Sequence, residues 1–356
     1  MPVVFIGSTG DRAGHSLLTW ALARRLMERG LSIGLLKPFG THPTHQDGLW
    51  TDRDAVLFKD VLGLKEPLNR ICPYLISEES WKQKPNEAII DEIKLLCREL
   101  AAGKDVLLLM GSRQIYFDDA SLPIPDLALI EELQAEFLLL HRYRQASKSI
   151  YAVLSVVSLL KERFKGVLIN RIPPPKWPDV ESRLIPSLTQ MGIPVVALIE
   201  EDPILSCRTL GEIKEILGGK LLCGEAWVDR LADGMTVGSG DLTGDFLIFK
   251  RVYNKVVLLA PAAPDGESEE AGGPRTVAGI ILTGGRIPPP QVLKTAQDAD
   301  LPLILVQEDT FVALENLERS RAALTPKDEN RVRRVTHLLD REGSLDRLLG
   351  DLDLGC

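Results

Sequence analysis

A glycine-rich loop near the start of the chain has the residue types that hold phosphate groups. The apolar run Val3–Ile6 leads into Gly7-Ser8-Thr9-Gly10-Asp11-Arg12-Ala13-Gly14-His15-Ser16. A strand that ends in such a turn and is followed by a helix presents backbone N–H groups to an anion. We therefore predict a nucleotide-binding loop with contacts to Gly10, Ala13, Gly14, His15, Ser16 and Leu17. A turn that is rich in glycine for steric reasons alone is the alternative interpretation.

The loop departs from the full phosphate-binding pattern at one position. That pattern ends in Gly-Lys-Ser/Thr, where the lysine reaches the terminal phosphates and the hydroxyl holds magnesium. Gly14 and Ser16 are present, but His15 stands at the lysine position. A neutral imidazole does not replace a fixed positive charge, although a protonated imidazole does so in part.

Further polar side chains follow the second apolar run. Lys37 comes directly after Leu31–Leu36, and a side chain at the carboxyl end of a parallel strand points toward the crevice where ligands bind. Asp52 and Asp54 open the next helical segment and have the oxygen ligands that Mg²⁺ prefers. Capping of that helix is the alternative role for these two aspartates. We interpret the histidines at positions 42 and 45 as solvated loop residues.

Composition indicates a globular protein and excludes two kinds of partner. Apolar residues make up 45% of the 356 residues and charged residues 26%, enough for a full core. The formal net charge of -8 provides no basic field for nucleic acid or an acidic membrane. Five scattered cysteines without a CxxC pair argue against a disulfide framework. With neither a signal peptide nor a spanning segment in the pattern, we predict a soluble, cytoplasmic protein.

Short apolar runs alternate with helical spacing over the first two hundred residues. The predicted strands are Pro2–Ile6, Leu31–Leu36, Asp105–Met110, Glu136–Leu140, Gly166–Asn170 and Ile193–Ile199. The predicted helices are Ser16–Arg29, Asp54–Leu62, Asn86–Leu100, Pro125–Gln134, Ser147–Glu162 and Asp179–Met191. This alternation predicts an α/β fold with a doubly wound, mostly parallel sheet of the P-loop type.

The pattern changes near Pro203 and indicates a smaller second α/β domain. We predict domains at residues 1–203 and 204–325, followed by a charged helical tail at 326–356. The predicted strands are Asp245–Phe249, Lys255–Ala260, Val277–Leu282 and Leu303–Val306. The predicted helices are Arg208–Leu217, Pro290–Ala299 and Thr310–Ser320. Between them, Ala262–Pro274 is rich in Gly, Pro, Ala and Glu and is predicted to be an exposed loop.

Several segments together resemble known families. The loop at Ser8–Ser16, Leu36-Lys37-Pro38, Asp54-Ala55 and Val167–Arg171 resemble the dethiobiotin synthetase-like P-loop family. "DAVLFKDVLGL", "GIPVVALIEEDPILS", "GMTVG", "GIILTGG" and "EDTFVALENL" look like the N-terminal, non-catalytic part of long bacterial phosphotransacetylases. That part is a dethiobiotin synthetase-like domain followed by a DRTGG domain. The resemblance reaches to about Leu349, where the acetyltransferase domain would begin, so we expect a stand-alone homologue of the regulatory half.

The resemblance implies that this chain has only part of the family's nucleotide site. It implies that Ser16 and Asp54 help hold magnesium and that Lys37 is the family's lysine after the second strand. It implies adenine contact by Asn170, next to Arg171. The family's strand-end glutamate, a metal ligand, falls at Met110, and methionine is a poor ligand for a hard cation. Binding of ATP or another nucleotide is therefore expected, and turnover is expected to be slow or absent.

The second domain keeps only part of its family's pattern. Thr283-Gly284-Gly285 is present at the end of a predicted strand, with Arg286 adjacent. The expected Gly-Asp-Arg turn is replaced by Ala260-Pro261-Ala262-Ala263-Pro264-Asp265. The Thr-Gly-Gly turn is a candidate anion site through its amides. A tight turn that needs positive backbone angles is the alternative.

The sequence thus predicts a nucleotide- or anion-binding regulatory or scaffold protein with an altered phosphate-binding loop, and it favours a role without catalysis. An ATP-dependent ligase of the dethiobiotin synthetase or amidoligase type is one alternative. A partner subunit for a separate acetyltransferase chain is another. The expected partners are a nucleotide or small anionic metabolite, and a second copy of the chain or an acetyltransferase-type protein.

Overall fold

The chain folds as two compact units in a computed structural model. The structure describes residues 2–10, 13–79, 81–111, 115, 124–202, 205, 207–238, 256–261, 277–319, 324–339 and 344–352. Unit 1 is formed by Met1–Glu201 together with Leu324–Cys356, and unit 2 by Asp202–Ala323. The first unit is therefore built from two separate stretches of chain.

A six-stranded sheet forms the centre of unit 1. Its neighbouring strands pair in parallel in the order β10-β9-β8-β1-β7-β2. These strands are β1 (Val3–Ser8), β2 (Ile33–Leu36), β7 (Val106–Met110), β8 (Glu136–Arg142), β9 (Phe164–Ile172) and β10 (Val195–Glu200). All of them are mostly apolar because both faces are covered by helices. The six runs predicted as strands are thus all strands, and the predicted α/β, mostly parallel sheet is confirmed.

Helices connect the strands of the sheet. They are α1 (His15–Glu28), α2 (Arg53–Val61), α3 (Leu68–Ile71), α4 (Asn86–Ala101), α5 (Asp126–Leu133), α6 (Ala146–Leu160), α7 (Trp177–Asp179) and α8 (Ile185–Gln190). One face of the sheet shares a core with α4, α5 and α6, in which the rings of Phe5 and Phe137 stack 6.2 Å apart. Burial of that core is the main stabilising contribution to unit 1.

The predicted helix Asp179–Met191 is interrupted. Helices α7 and α8 are joined by a π-helical turn, Val180–Leu184. Pro186 lies at the second position of α8, where it lacks the N–H that a continuous helix would need. The wider π turn accommodates this missing donor, since π turns interrupt a helix within a single turn.

Short strands lie outside the main sheet. They are β3 (Phe39–Gly40), β4 (Pro43–Gln46), β5 (Leu49–Asp52) and β6 (Tyr74–Leu75). Strands β4 and β5 form an antiparallel hairpin with the two-residue loop Asp47-Gly48, and both loop residues have positive φ, 52° and 79°. An Asp-Gly pair favours this turn, because few other pairs adopt positive φ at both positions. Residues 42–52 are therefore more regular than the loop that the sequence analysis placed around its two histidines.

The C-terminal segment returns to unit 1. It contains α12 (Glu329–Leu339) and α13 (Ser344–Asp351), and α12 packs on α1 and β10. Val332, Val335 and Leu339 are buried at the spacing of one helical face. Ion pairs from Arg24 to Glu329 and from Arg29 to Asp346 tie the same helices to α1.

Unit 2 contains a mixed sheet with the order β11-β13-β14-β15-β16-β12, in which only β15 and β16 pair in parallel among the described strands. Its strands are β11 (Arg208–Thr209), β12 (Lys220–Cys223), β13 (Leu231–Gly238), β14 (Val256–Pro261), β15 (Gly279–Leu282) and β16 (Leu303–Leu305). Its helices are α9 (Leu210–Ile216), α10 (Pro290–Asp298) and α11 (Thr310–Arg319). Helix α9 begins with a capping box between Thr209 and Glu212.

Two of the predicted elements lie outside the residues that the structure describes. They are the strand Asp245–Phe249 and the loop Ala262–Pro274. Among the described residues, no helix is long and apolar enough to cross a lipid bilayer.

Helix α12 offers a test of whether the C-terminal segment is part of the core of unit 1. We expect Leu339→Ala to lower the free energy of unfolding by about 2–5 kcal/mol, because a buried leucine is lost and a cavity remains. Urea denaturation followed by circular dichroism measures this change. The control Arg333→Ala alters an exposed side chain of the same helix and should change stability by less than about 0.5 kcal/mol. Equal, small effects of both changes would contradict the docking of α12.

Candidate functional site

The glycine-rich loop joins β1 to α1 at the carboxyl edge of the sheet. Gly14 caps α1 with a φ of 88°, and a Cβ at this position would lie 2.6 Å from Nδ2 of Asn170. Only glycine fits here, for both backbone and steric reasons. In the described part of the chain, no side chain caps α1 and its first turn has no acidic residue. The N–H groups of this first turn are therefore directed toward a site that favours an anion.

Asn170 ties the end of β9 to this loop. Its Nδ2 donates to the carbonyl oxygen of Ala13 at 3.0 Å, and its Oδ1 accepts from the N–H of Arg171 at 2.8 Å. Arg171 has a φ of 57°, a backbone conformation that is unusual for a residue with a side chain. A carboxamide has two N–H groups and two oxygen lone pairs, so Asn170 retains one donor and one acceptor for a base. The residue therefore positions the loop and still has the hydrogen-bonding capacity that the adenine prediction requires.

His15 turns away from the anion site. Its Nε2 donates to the backbone carbonyl of Ile6 at 2.6 Å, and the same carbonyl accepts from the N–H of Gly111 at 2.9 Å. Burial lowers the pKa of the imidazole; the hydrogen bond to Ile6 opposes this shift, and the nearby Lys37 ammonium adds to it. His15 is therefore neutral near pH 7 and supplies no positive charge at the lysine position of the loop.

Lys37 lies in a buried ion network at the end of β2. Its Nζ donates to Oδ1 of Asp52 at 2.7 Å and to Oδ2 of Asp54 at 2.6 Å. The hydroxyl of Ser16 donates to the other oxygen of Asp54 at 2.8 Å. The structure thus brings together three of the predicted site residues, Ser16, Lys37 and Asp54.

Asp52 anchors this network to the backbone. One carboxylate oxygen caps α2 by accepting from the N–H of Asp54 at 2.8 Å, and the other accepts from the N–H of His42 at 2.8 Å. The capping interpretation of the sequence therefore applies to Asp52. Asp54 instead directs its side chain to Lys37 and Ser16, as a side chain of the candidate metal site would.

The charges in the network stabilise one another. Burial opposes ionisation of both Lys37 and Asp54, but their mutual attraction outweighs it. The pKa of Lys37 is raised and that of Asp54 is lowered as a result. One cation faces two carboxylates, so the network has a formal charge of −1 and Lys37 offers no uncompensated positive charge to a phosphate.

The end of β7 has no acidic side chain of its own. Met110 is buried there, in the position where the resembled family has a glutamate. A buried carboxylate from another element lies beside it, because a Cβ at Gly111 would be 2.5 Å from Oδ2 of Asp126 at the start of α5. Sequence reasoning missed Asp126, since nothing in the order of residues places α5 against this strand end. Among the described residues, no three His, Cys, Asp or Glu side chains form a metal-binding cluster.

A second buried histidine contacts the loop. His141 on β8 lies 2.7 Å, through Nδ1, from the hydroxyl of Thr9, and its Nε2 has no hydrogen-bond partner among the described residues. Burial, and secondarily the positive charge of Arg144, lowers the pKa of His141 to about 4. Sequence reasoning missed this contact as well, because 132 positions separate the two residues.

In the Thr-Gly-Gly turn of unit 2, the backbone amides of both glycines already donate hydrogen bonds within the protein. The N–H of Gly284 donates to the carbonyl of Glu308 at 2.8 Å, and that of Gly285 to the carbonyl of Val306 at 2.9 Å. Both glycines have positive φ, and the hydroxyl of Thr283 lies 2.7 Å from that of Thr310. An anion would have to break these backbone hydrogen bonds to reach the amides. The geometry therefore favours the tight-turn interpretation of Gly284 and Gly285 over the anion site that the sequence suggested.

Removal of the buried cation tests the importance of the ion network. We expect Lys37→Met to lower the free energy of unfolding by about 3–5 kcal/mol, because two buried carboxylates lose their shared counterion. Urea denaturation measures the change. The matched control is Lys82→Met, which removes a surface ion pair with the exposed Glu79 and should cost less than about 1 kcal/mol. A small loss in both variants would show that the network contributes little to stability.

The buried His141 predicts that the stability of the folded chain depends on pH. The folded chain holds His141 neutral down to about pH 4, whereas the unfolded chain protonates it near its ordinary pKa of 6.5. The unfolded state therefore binds more protons in this window, and stability falls as the pH drops from 6.5 to 4. This shift corresponds to about 3 kcal/mol at 1.36 kcal/mol per pKa unit.

His141→Leu should remove that contribution and flatten the profile of unfolding free energy between pH 6.5 and 4. His15 acts in the same direction and should leave a residual slope in the variant. Urea denaturation at several pH values measures both profiles. The exposed Gln190 provides the control, because Gln190→Leu introduces a leucine without removing a titratable group and should keep the wild-type slope. Identical slopes for wild type and His141→Leu would show that His141 does not cause the pH dependence of stability.

Comparisons with known proteins show which families this chain is similar to. The model of the AAA domain family matches residues 3–209, and the model of the DRTGG domain matches residues 212–320. The phosphate acetyltransferase of Pseudomonas aeruginosa is 22% identical over 95% of this chain and 50% of its own length. The ATP-dependent dethiobiotin synthetase BioD of Thermodesulfovibrio yellowstonii is 29% identical over 19% of this chain and 29% of its own length.

A solved structure, the MinC:MinD cell division protein complex of Aquifex aeolicus, has a TM-score of 0.36 and 17% identity, covering 58% of this chain and 84% of that chain. The chain spans about half the length of the phosphate acetyltransferases it matches. The order of an AAA domain followed by a DRTGG domain fits the N-terminal regulatory part of those proteins, which confirms the resemblance found in the sequence. The chain belongs to the AAA domain family of P-loop proteins, with a DRTGG domain following its P-loop domain.

Proposed function

We propose that unit 1 is a nucleotide-binding regulatory domain that holds ATP or a related nucleotide with little or no hydrolysis. The observation that supports this proposal most directly is the inward hydrogen bond of His15 to Ile6. The loop keeps a glycine with positive φ and the open first turn of α1, which are the parts that bind phosphate through backbone N–H groups. Among the described residues of the loop, which are those up to position 10 and from position 13 onward, no cationic side chain is directed at the terminal phosphate.

Phosphoryl transfer depends on neutralising the charge that develops on the transferred group. His15 is neutral near pH 7, and the charge of Lys37 is compensated by two buried carboxylates. Ground-state binding tolerates these losses better than catalysis does, because backbone amides already contribute to it. The geometry therefore favours binding and release over turnover.

Two side chains of the site could serve as ligands of a magnesium ion. The hydroxyl of Ser16 and the carboxylate of Asp54 are 2.8 Å apart and both offer oxygen ligands. A bound Mg²⁺ would neutralise part of the phosphate charge. Since Asp54 already carries hydrogen bonds from Lys37 and Ser16, we infer that nucleotide binding depends only weakly on magnesium.

A regulatory role is supported by the relatives rather than by the site. Phosphate acetyltransferases match this chain across both of its domains. We infer that the chain acts with an acetyltransferase-type protein or with a second copy of itself, and that the bound nucleotide reports a metabolic state. A ligase of the dethiobiotin synthetase type is the second candidate, because Ser16, Lys37 and Asp54 meet in one hydrogen-bonded cluster.

Calorimetric titration of the full chain with ATP, ADP and GTP, with and without Mg²⁺, tests the proposal. We expect binding of at least one nucleotide, with a dissociation constant that changes less than about tenfold when Mg²⁺ is removed. A phosphate-release assay with Mg-ATP should give no more product than a blank without protein. Steady hydrolysis that Ser16→Ala abolishes would refute the proposal and favour the ligase.

A glycine of the loop and a glycine of α13 provide a matched pair of variants. We expect Gly14→Ala to weaken nucleotide binding by about tenfold or more, because the added methyl would clash with Asn170 and the φ of 88° would become strained. Gly350→Ala should leave binding almost unchanged, since Gly350 lies in α13 and no described atom lies within 4 Å of a Cβ added there. The same titration measures both. Equal affinities for both variants would show that the nucleotide binds elsewhere.

A further inference from the structure

The outer face of α6 is unusual because it has no charged residue between Ser149 and Leu160, in a chain of which 26% is charged. The inner face of the helix is buried at Val153, Val156 and Leu160 and contributes to the core of unit 1. On the opposite face, Tyr151 is 72% exposed and Leu159 is 44% exposed. A solvated helix face normally has charged side chains, so this face has the composition of a contact surface.

Two serines lie on the same outer face. The hydroxyl of Ser155 donates to the carbonyl of Tyr151 at 2.8 Å, and that of Ser158 donates to the carbonyl of Leu154 at 2.8 Å. Their donors are thus used within the helix, as is common for serine in a helix interior. Small side chains with satisfied hydroxyl donors permit another helix to approach closely without leaving a donor unpaired.

The residues of this face are arranged symmetrically about Ser155. Tyr151 and Leu159 lie at equal distances along the sequence on either side of it. Lys148 and Glu162 also lie at equal distances, further out. Both are exposed, and neither forms an ion pair within the described residues. Glu162 lies in the short 3₁₀ turn, Lys161–Arg163, that directly follows α6.

We propose that the outer face of α6 is the surface through which two copies of this chain associate, with the two helices antiparallel and a two-fold axis near Ser155. In that arrangement Tyr151 of each copy lies against Leu159 of the other. Lys148 of each copy then lies opposite Glu162 of the other, at the rim of the contact. A two-fold contact requires a self-complementary patch, and the residue types of α6 supply both the apolar and the charged pairs.

Sedimentation equilibrium of the full chain tests this interface. We expect the wild-type chain to be a dimer and Tyr151→Glu to raise the dimer dissociation constant roughly thirtyfold or more, since a charge would enter the apolar centre. The control is Leu95→Glu, at a comparably exposed leucine on the outer side of α4, and it should leave the dimer unchanged. A monomeric wild-type chain, or a dimer that Tyr151→Glu leaves intact, would overturn the proposal.

Exchange of the two rim charges tests the antiparallel arrangement. Lys148→Glu alone and Glu162→Lys alone should each weaken the dimer, because each places like charges opposite one another. The double variant should restore the wild-type dissociation constant to within about threefold. Failure of the double variant to restore association would overturn the antiparallel pairing.

A cysteine at the proposed axis gives evidence that does not depend on affinity. The four cysteines within the described residues are buried, and Cys356 is replaced by serine for this experiment. Ser155→Cys should then be cross-linked to itself by a short bis-maleimide, because residue 155 of the two copies would be adjacent. The exposed Ser182→Cys, in the π turn between α7 and α8, should not be cross-linked. Equal cross-linking of both variants would overturn the proposed axis.

Discussion

The contact of Lys37 with Asp52 and Asp54 is the interaction on which the organisation of the site depends. It joins the end of β2 to the start of α2, and Ser16 extends it to the first turn of α1. Removing these charges from water is costly, and only close opposite charges and further hydrogen bonds offset that cost. Asp52 meets this requirement because its two oxygens also accept backbone N–H groups.

The same contact limits the positive charge that the described side chains of the site offer to a ligand. A lysine that holds two carboxylates together keeps the elements in place, but its charge is no longer available to a phosphate. His15 has a parallel role, because its imidazole fixes the carbonyl end of β1 instead of reaching outward. His15 and Lys37 thus support the fold of the site, and among the described residues the feature that favours an anion is the backbone of the first turn of α1.

Much of unit 1 could be predicted from the sequence because its strands are buried on both faces and read as continuous apolar runs. The loop and Lys37 followed from their positions at strand ends, where a parallel sheet gathers side chains from distant parts of the chain. Asp54 followed from its place at the start of a predicted helix and from the family resemblance. The contact of Thr9 with His141, and the carboxylate of Asp126 beside Gly111, could not be predicted in the same way. Each depends on which strands become neighbours and how a helix packs, and short-range periodicity does not specify either.

Helix α1 is held at both ends, and this bears on how an anion would bind. Ser16 fixes its first turn through Asp54, while Arg24 and Arg29 bind α12 and α13 further along. A helix that is already fixed does not have to be ordered when a ligand arrives, so less of the binding free energy is lost to conformational entropy. This preorganisation offsets part of the missing positive charge at His15. It also accounts for the geometry of the loop, which is maintained by the packing and ion pairs of the protein itself although histidine stands at the lysine position.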